Sequence, residues 1–301
     1  MSKPDLTDLD AFAAVARERS FRRAARLRGV SASTLSQAVR DLEAELGVRL
    51  LNRTTRSVLP TEAGRRLLER LLPALNEIES AVEGMHATDD EPAGLLRINA
   101  PLPAIDLVLA PLIARFLERC PRVRLEVVSD SSRIDIVAEG FDAGVRWDEH
   151  LEQDMIAVPF GGRQSYALVA APQVIEAHGR PAHPRDLTAL PAIRQRFSSG
   201  VMFPWEFEKD GQIVRVDPTP RRVSTDIALQ RRAALDGAGF WAAFEGYVRE
   251  DIAAGRLVSV LEDWLPSFPG PSLYYPSRRH VPPPLRAFVE FIQAERGRYR
   301  L

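Results

Sequence analysis

The sequence predicts an α/β protein built of three successive parts: a small, mainly helical N-terminal domain, one long helix and a two-lobed α/β domain. Three observations support this division. The chain is helical in pattern and arginine-rich up to about residue 60, with no proline between Pro4 and Pro60. Apolar residues then recur at helical spacing from Thr61 to about Ala87. After the acidic stretch 88–94, strand-like and helix-like runs alternate.

Composition restricts the class of protein. No apolar run approaches the roughly 18–20 residues that a membrane span needs, and Asp5, Asp8 and Asp10 stand where a signal peptide carries basic residues. We therefore expect a cytoplasmic protein with no membrane partner. The single cysteine, Cys120, excludes a disulfide framework and a multi-cysteine zinc site, and we interpret it as a small apolar residue at a helix end.

Charge is distributed unevenly along the chain. The formal net charge is −1, yet residues 1–66 hold 13 basic and 8 acidic groups, a net of +5, which leaves about −6 on the rest. A basic end on a mildly acidic body is typical of a protein that binds a polyanion locally.

Three helices are predicted in the basic end. The apolar positions of residues 5–19 lie on one helical face. Ser20 begins a second helix, whose inward side includes Leu27. Ser31 caps a third helix, which ends at Gly47.

The third helix has two distinct faces. At about 100° per residue, Ser33, Gln37 and Arg40 lie opposite an apolar stripe. A DNA major groove admits one helix, and short polar side chains, glutamine and arginine read base edges there. A helix, a short turn and a polar-faced helix therefore predict a helix-turn-helix. The stripe predicted to be buried consists of Leu35, Val39, Leu42 and Leu46.

A wing is predicted after this helix. Val48–Leu51 and Ser57–Leu59 form its strands, and 52–56 form a tip whose arginine and threonine side chains suit phosphate or minor-groove contact. The alternative is an ordinary three-helix bundle with a polar face, and the basic wing favours DNA binding.

The long helix is predicted to mediate dimerisation. Thr61 caps it, and Pro73 should kink it without ending it, because the apolar spacing continues. The spacing is that of a coiled coil, whose apolar face packs against a partner helix. The alternative is that this face packs against the chain's own N-terminal domain. The predicted dimer contacts are Leu68, Leu71, Leu75, Ile78, Val82 and Met85.

The C-terminal part predicts two lobes. Strands at 95–100, 123–128 and 141–146 alternate with helices at 104–119 and 133–139, which indicates a parallel sheet with helices on both faces. A strand at 165–170 then crosses into a second lobe. The later elements are predicted as strands near 191–196, 202–207, 212–216 and 272–275, and as helices near 226–236, 245–254 and 284–297.

The N-terminal part resembles the DNA-binding domain of the LysR-type transcriptional regulators. Phe21–Gly64 matches that family's pattern almost throughout, with Leu51 where the family usually has phenylalanine. The similarity continues in Glu139–Arg146, Ala233–Gly239 and Leu273–Ile292. The resemblance implies a winged helix-turn-helix, a dimerising helix and an effector domain of periplasmic-binding-protein architecture. The predicted domains are 1–60, 61–88 and 95–301, with lobe I at about 95–164 and 273–301 and lobe II at about 165–272.

The same resemblance implies the partners. They are double-stranded operator DNA, a small organic effector, RNA polymerase, and further copies of the chain in a homodimer and homotetramer. The candidate DNA contacts are Ser31, Ser33, Thr34, Ser36, Gln37, Arg40, Arg53, Thr54 and Arg56.

An effector is expected at the carboxyl ends of strands, between the lobes. Relatives often place a hydroxyl at the start of the first lobe I helix, whereas Pro101 and Pro103 here remove two amide donors. Arg146 is then the expected charged partner, with a structural ion pair to Asp148, Glu149 or Asp130 as the alternative. The candidate ligand contacts are Pro101, Leu102, Ser129, Arg146, Arg196, Phe197, Ser198, Phe203, Thr225 and Phe240, and Trp147 borders them.

Two other classes compete with a regulator. An enzyme is disfavoured because there is no G-x-S-x-G elbow, phosphate loop, dinucleotide fingerprint or metal-spaced His/Cys group. A solute-binding protein is disfavoured because it would need an export signal, which we do not expect here. We therefore expect no cofactor, no metal and no catalytic residue. A nucleoid-type DNA binder would have no ligand cleft and little sequence preference.

Overall fold

The protein forms a small helical domain, a long helix and two five-stranded sheets, each domain or sheet with its own hydrophobic core. This computed structural model describes residues 4–53, 58–84, 91–131, 135–137, 139–147, 154–197, 200–277 and 281–295.

The N-terminal helices begin and end where their capping residues predict. The side chains of Asp5, Ser20 and Ser31 accept hydrogen bonds from first-turn amides. Gly29 and Gly47 end the second and third helices at positive φ. The helices are α1 (Leu6–Glu18), α2 (Phe21–Arg28) and α3 (Ala32–Leu46).

The wing differs from its prediction in position. Its antiparallel strands are β1 (Leu51–Arg53) and β2 (Val58–Pro60), so the first strand begins at Leu51 instead of Val48. The reason is tertiary: the Leu51 amide donates to a carboxylate oxygen of Glu43, which holds the chain against α3 before pairing begins. Leu27, predicted to face inward, is 71% exposed.

The long helix α4 (Glu62–Gly84) contains Pro73. Thr61 caps its first turn, since the Thr61 hydroxyl accepts a hydrogen bond from the Gly64 amide at 3.0 Å. Leu71 is 7% exposed and belongs to the core of the N-terminal domain. The expectation that a partner chain covers Leu71 is therefore wrong, because its own domain does so. Further along the same stripe, Ile78 is 44% exposed. The side chain of Val82 and the whole of Met85 lie outside the described residues.

The remaining elements follow in chain order. The strands are β3 (Gly94–Ala100), β4 (Val123–Ser129), β5 (Ala143–Arg146), β6 (Met155–Pro159), β7 (Tyr166–Ala170), β8 (Ala192–Gln195), β9 (Trp205–Lys209), β10 (Gln212–Val216), β11 (Pro220–Ser224), β12 (Phe240–Phe244), β13 (Val258–Val260) and β14 (Ser272–Pro276). The helices are α5 (Leu102–Ala104), a π-helical turn (Ile105–Leu109), α6 (Ala110–Arg119), α7 (Pro172–His178), α8 (Ile227–Leu235), α9 (Arg249–Ala253) and α10 (Pro283–Glu295), with 3₁₀ turns at Pro184–Ala189, Glu245–Tyr247 and Glu262–Trp264.

Both sheets are mixed instead of parallel throughout. The first has the order β4-β3-β5-β14-β6 and the second β11-β8-β12-β7-β13. In each, three adjacent strands are parallel, and a fourth strand, β14 or β7, runs antiparallel to them. The edge strand beyond it, β6 or β13, pairs antiparallel with that fourth strand and so runs in the same direction as the first three. The described residues of the predicted helix 133–139 form turns.

The three parts of the chain meet at Gly140. Its φ is +72°, and a Cβ there would lie 3.5 Å from both Arg17 Nη2 of α1 and Leu72 Cβ of α4. Arg97, 5% exposed, donates to the Gly140 carbonyl at 2.6 Å and to both carboxylate oxygens of Glu126. Lobe I therefore contacts the N-terminal domain and the long helix at one corner.

Candidate DNA-binding face and effector cleft

The exposed face of α3 carries a chain of side-chain hydrogen bonds. Val39 and Leu42 are fully buried on the opposite side, which fixes the rotation of the helix. Arg40 Nη2 donates to Gln37 Oε1 at 2.8 Å, and Gln37 Nε2 donates to Asp41 Oδ1 at 2.7 Å. Neighbours on the same helix thus hold the exposed Gln37 side chain, so that it projects from the helix in a fixed direction.

The first turn of α3 presents a group of hydroxyls. Ser31 Oγ accepts from the Thr34 amide at 3.0 Å as the N-cap, and it lies 2.6 Å from Ser33 Oγ and 2.8 Å from Thr34 Oγ1. Ser31 therefore has a structural role, while the exposed Ser33 and Thr34 lie at the helix N-terminus, where amides and dipole favour an anion such as phosphate.

The wing is tied to α3 through Glu43. Its Oε1 accepts from the amides of Leu50 and Leu51, and its Oε2 pairs with Arg53 Nη2 at 3.0 Å. The Arg53 guanidinium also lies 5.0 Å from the Phe21 ring centroid and donates to Ser36 Oγ at 3.4 Å. Arg53 thus anchors the wing as well as facing outward, since its side chain remains 29% exposed. Thr54 and Arg56 lie outside the described residues.

Strand pairing brings one edge of each sheet to the junction between them. In the first sheet β3, β4 and β5 are parallel, and Arg146 at the end of β5 pairs with Ser272, which in turn pairs with Pro159. Both crossing segments, 160–165 and 266–271, therefore leave the sheet at the carboxyl ends of its parallel strands. In the second sheet Tyr166 enters opposite Phe244, the carboxyl end of β12.

Six half-buried aromatic rings line this junction. Trp147, directly after β5, lies 4.9 Å from Phe244 between ring centroids, and Phe244 lies 4.6 Å from Tyr166. Tyr166 continues the series to Phe268 in the second crossing segment at 5.0 Å and to Phe203 at 5.3 Å. We call these rings the aromatic layer; its members are Trp147, Tyr166, Phe197, Phe203, Phe244 and Phe268.

Polar groups of lobe I stand beside this layer. Arg146 Nη2 donates to Asn99 Oδ1 at 2.6 Å, and Arg146 Nη1 donates to the Val145 carbonyl. Asn99 Nδ2 and Trp147 Nε1 are both buried without a hydrogen-bond partner among the described residues. Asp148 and Glu149, two of the three predicted structural partners of Arg146, lie outside the described residues.

A second contact joins the lobes at the π-helical turn. Tyr247 Oη donates to Asp106 Oδ2 at 2.9 Å, and burial together with this bond raises the pKa of the Tyr247 hydroxyl. A Cβ at Gly246 would lie 2.8 Å from Leu107 Cδ2. The crossing segments approach so closely that a Cβ at Gly270 would lie 2.1 Å from the Gly162 carbonyl oxygen.

Most of the predicted ligand residues stand at these strand ends, and one does not. Phe240 is fully buried and pairs with Ala192, at the opposite edge of the second sheet. The prediction that it lines the cleft is wrong because β12 begins at Phe240 and reaches the cleft only at Phe244. Ser198 lies outside the described residues. The residues found at the strand ends or in the segments after them are Pro101, Leu102, Ser129, Arg146, Arg196, Phe197, Phe203 and Thr225.

Sequence reasoning missed the lobe II half of the aromatic layer and the Tyr247–Asp106 contact. Tyr166 and Phe244 could have been predicted if 240–244 had been recognised as a strand. The crossing strand must then enter the second sheet opposite the end of that strand, which brings the two residues together. Asp106 and Tyr247 are 141 positions apart in sequence, and no local pattern signals their contact.

Other chemistry is limited in the part of the chain that is described. No group of three or more His, Cys, Asp or Glu side chains there is arranged to hold a metal ion. No helix there is both long and apolar enough to cross a membrane. Cys120 is 5% exposed, and burial raises the pKa of its thiol, which disfavours the reactive thiolate.

Comparison with known proteins decides the family. A model described as the bacterial regulatory helix-turn-helix protein of the lysR family matches residues 6–65, and a LysR substrate-binding-domain model matches residues 89–297. The chain belongs to the LysR family of transcriptional regulators. It is a transcriptional regulator and not an enzyme, with a helix-turn-helix DNA-binding domain and an effector-binding domain.

Individual LysR-family proteins are similar over nearly the whole chain. The uncharacterised HTH-type transcriptional regulator YcaN of Escherichia coli K12 is 38% identical over 289 residues, 96% of this chain and 95% of the relative. The structure of CrgA from Neisseria meningitidis aligns with a TM-score of 0.60 at 29% identity, covering 98% of this chain and 100% of that one. Full-length AphB, a Vibrio cholerae virulence activator, aligns with a TM-score of 0.64 at 26% identity, covering 97% and 99%.

Proposed function

We propose that this LysR-family regulator reads its operator with the exposed face of α3 and senses an organic effector between its two sheets. One observation carries the DNA-binding part: Gln37 and Arg40 form a hydrogen-bonded pair on the face opposite the buried Val39 and Leu42. Glutamine and arginine are the side chains that make bidentate contacts with adenine and guanine in the major groove.

Gln37→Ala tests the reading of bases. Loss of a bidentate contact is expected to weaken operator binding about 5- to 150-fold, or about 1–3 kcal/mol, and to leave binding to random DNA nearly unchanged. Footprinting and titration on the chain's own upstream region provide the measurement. Glu45→Ala is the matched control, because Glu45 is exposed on the flank of the same helix. Equal losses on operator and random DNA would contradict the role of Gln37 and would favour a nucleoid-type binder.

We propose a homodimer through the far half of α4. The apolar stripe of the helix continues to Ile78 beyond the part that its own domain covers. Nearby, the strongly exposed Leu27 lines a groove with Leu72 and Leu75 of α4, which adds apolar surface for a second copy. We further propose a homotetramer and a contact with RNA polymerase, and family membership is the only support for both.

We propose that the effector binds where the carboxyl ends of the parallel strands of both sheets meet. The aromatic layer and the glycines of the crossing segments support this position, since ligands in open α/β sheets bind at such strand ends. The Arg146–Asn99 bond supports a structural role for Arg146 beside the site.

A further inference from the structure

We infer that the effector is an uncharged aromatic compound carrying a hydrogen-bond acceptor, and that Trp147 Nε1 donates to that acceptor. The inference rests on the proposed position of the effector between the sheets and adds the chemistry of the ligand.

The aromatic layer provides the apolar surface. Its rings are half-buried, whereas the large side chains of the neighbouring cores, such as Trp205 and Trp241, are almost completely buried. Large aromatic side chains favour burial, and aromatic rings pair at centroid separations of about 4.5–7 Å. A flat ring inserted against Trp147 and Phe244 would complete the burial of both and separate rings that now lie 4.9 Å apart.

The unpartnered indole provides the polar requirement. Indole is a donor only, and Trp147 Nε1 is buried with no hydrogen-bond partner in the part of the chain that the structure describes. A buried donor without a partner destabilises the protein. A ligand that supplies an acceptor removes this unfavourable free energy, which adds to its affinity. In contrast, the indole of Trp241 donates to Gln230 Oε1 at 2.9 Å and is already satisfied.

Charges around the layer disfavour an anionic ligand. Arg146 is engaged with Asn99 and a backbone carbonyl, and Pro101 and Pro103 supply no amide donor. Two carboxylates stand near the junction: Asp106 of lobe I accepts from Tyr247 across it, and Glu245 accepts from Ser165 at the entry of β7, within lobe II. A carboxylate ligand bound against Trp147 would therefore lose hydration near negative groups, while Arg146, the cation next to Trp147 in the chain, is already hydrogen-bonded.

Three matched probes test this chemistry on the full-length protein: acetophenone, ethylbenzene, which lacks the carbonyl, and benzoate, which is anionic. Acetophenone is expected to bind about tenfold more tightly than ethylbenzene by calorimetric titration, because only the ketone supplies an acceptor. Trp147→Phe keeps a ring but removes the donor, so this preference should vanish in that variant. Trp264→Phe, which removes an indole outside the layer, should retain it.

Hydrogen exchange of residues 240–247 distinguishes a wrong ligand chemistry from a wrong position of the effector site. Protection there by acetophenone, together with the Trp147-dependent preference, supports the inference. Protection without that dependence, tighter binding of benzoate, or no binding of any probe overturns the ligand chemistry. Binding that protects only other regions overturns the proposed position of the effector site itself.

Discussion

The titration of Tyr166 shows how one side chain in the aromatic layer couples to stability. Burial raises the pKa of its hydroxyl to about 12, from about 10 in an unfolded chain. Below pH 10 both states hold the proton, and the free energy of unfolding is unaffected. Between about pH 10 and 12 the unfolded chain releases the proton while the folded chain keeps it, so stability falls as pH rises.

We expect this group to account for about 2–3 kcal/mol of the alkaline loss, since one pKa unit corresponds to about 1.4 kcal/mol. Urea unfolding from pH 7 to 12 should show a shallower alkaline decline for Tyr166→Phe than for the unaltered protein. At pH 7 the two should be nearly equally stable, because the Tyr166 hydroxyl makes no hydrogen bond to the described residues. Identical alkaline slopes would contradict the buried environment.

Arg53 shows what residue-level sequence reasoning could and could not predict. The caps Ser20 and Ser31 were predictable because each acts on an amide three residues away. The partner of Arg53 is Glu43, which lies on another element, α3, so no local sequence pattern indicates the pair. Arg53→Ala is therefore expected to loosen the wing as well as weaken DNA binding, which makes Gln37 the cleaner probe of recognition.

At the scale of elements, α4 changes its environment along its length. Leu71→Ala is expected to destabilise the N-terminal domain by about 2–4 kcal/mol, because it opens a cavity in that core. Ile78→Glu should leave that domain folded and dissociate the dimer, because the charge falls on the exposed apolar stripe. Chemical unfolding measures the first effect and sedimentation velocity the second.

Glu69→Lys is the control for the dimer, since residue 69 is exposed and lies about 180° around the helix from Ile78. It should sediment as the unaltered protein does. A dimer that persists in Ile78→Glu with unchanged affinity would exclude α4 as the dimer contact and leave the effector domains as the alternative.

The strands that the sequence predicted poorly share a physical cause. Phe240–Phe244 reads FWAAF, and its first four residues are buried, so no alternation of apolar and polar residues marks it as a strand. β3 was recognised because it belongs to a clear alternation of strand and helix. Because no strand was predicted at 240–244, Phe240 was assigned to the cleft and Phe244 was omitted. The predicted contact therefore lies at the opposite end of this strand from the cleft.

At the scale of the whole molecule, the corner around Gly140 couples the effector domain to the DNA-binding domain. The Arg97 guanidinium hydrogen-bonded to Glu126 holds the pKa of that carboxyl below its usual value, and the charge of Arg17 on α1 lowers it further. The N-terminal domain is therefore attracted to lobe I by charge as well as held by the packing of Leu72 against Gly140.

Arg17→Glu reverses this attraction and is expected to loosen the contact. Hydrogen exchange of amides around 139–142 should become several-fold faster, and the effect should diminish at high salt because screening weakens the unaltered contact as well. Arg22→Glu on α2 is the charge-matched control, because Arg22 is exposed and its side chain makes no hydrogen bond or ion pair with the described residues. Unchanged exchange in Arg17→Glu would mean that packing alone holds the corner.

The π-helical turn Ile105–Leu109 has a consequence for how such clefts diverge. A turn closed by i→i+5 bonds holds one residue more than an α-helical turn, and each residue of a helix accounts for about 100° of rotation. Deleting one residue here would restore a regular helix and rotate Asp106 by about 100° relative to α6, away from Tyr247. The loss of a single codon at this turn would thus be enough to remove this hydrogen bond between the lobes.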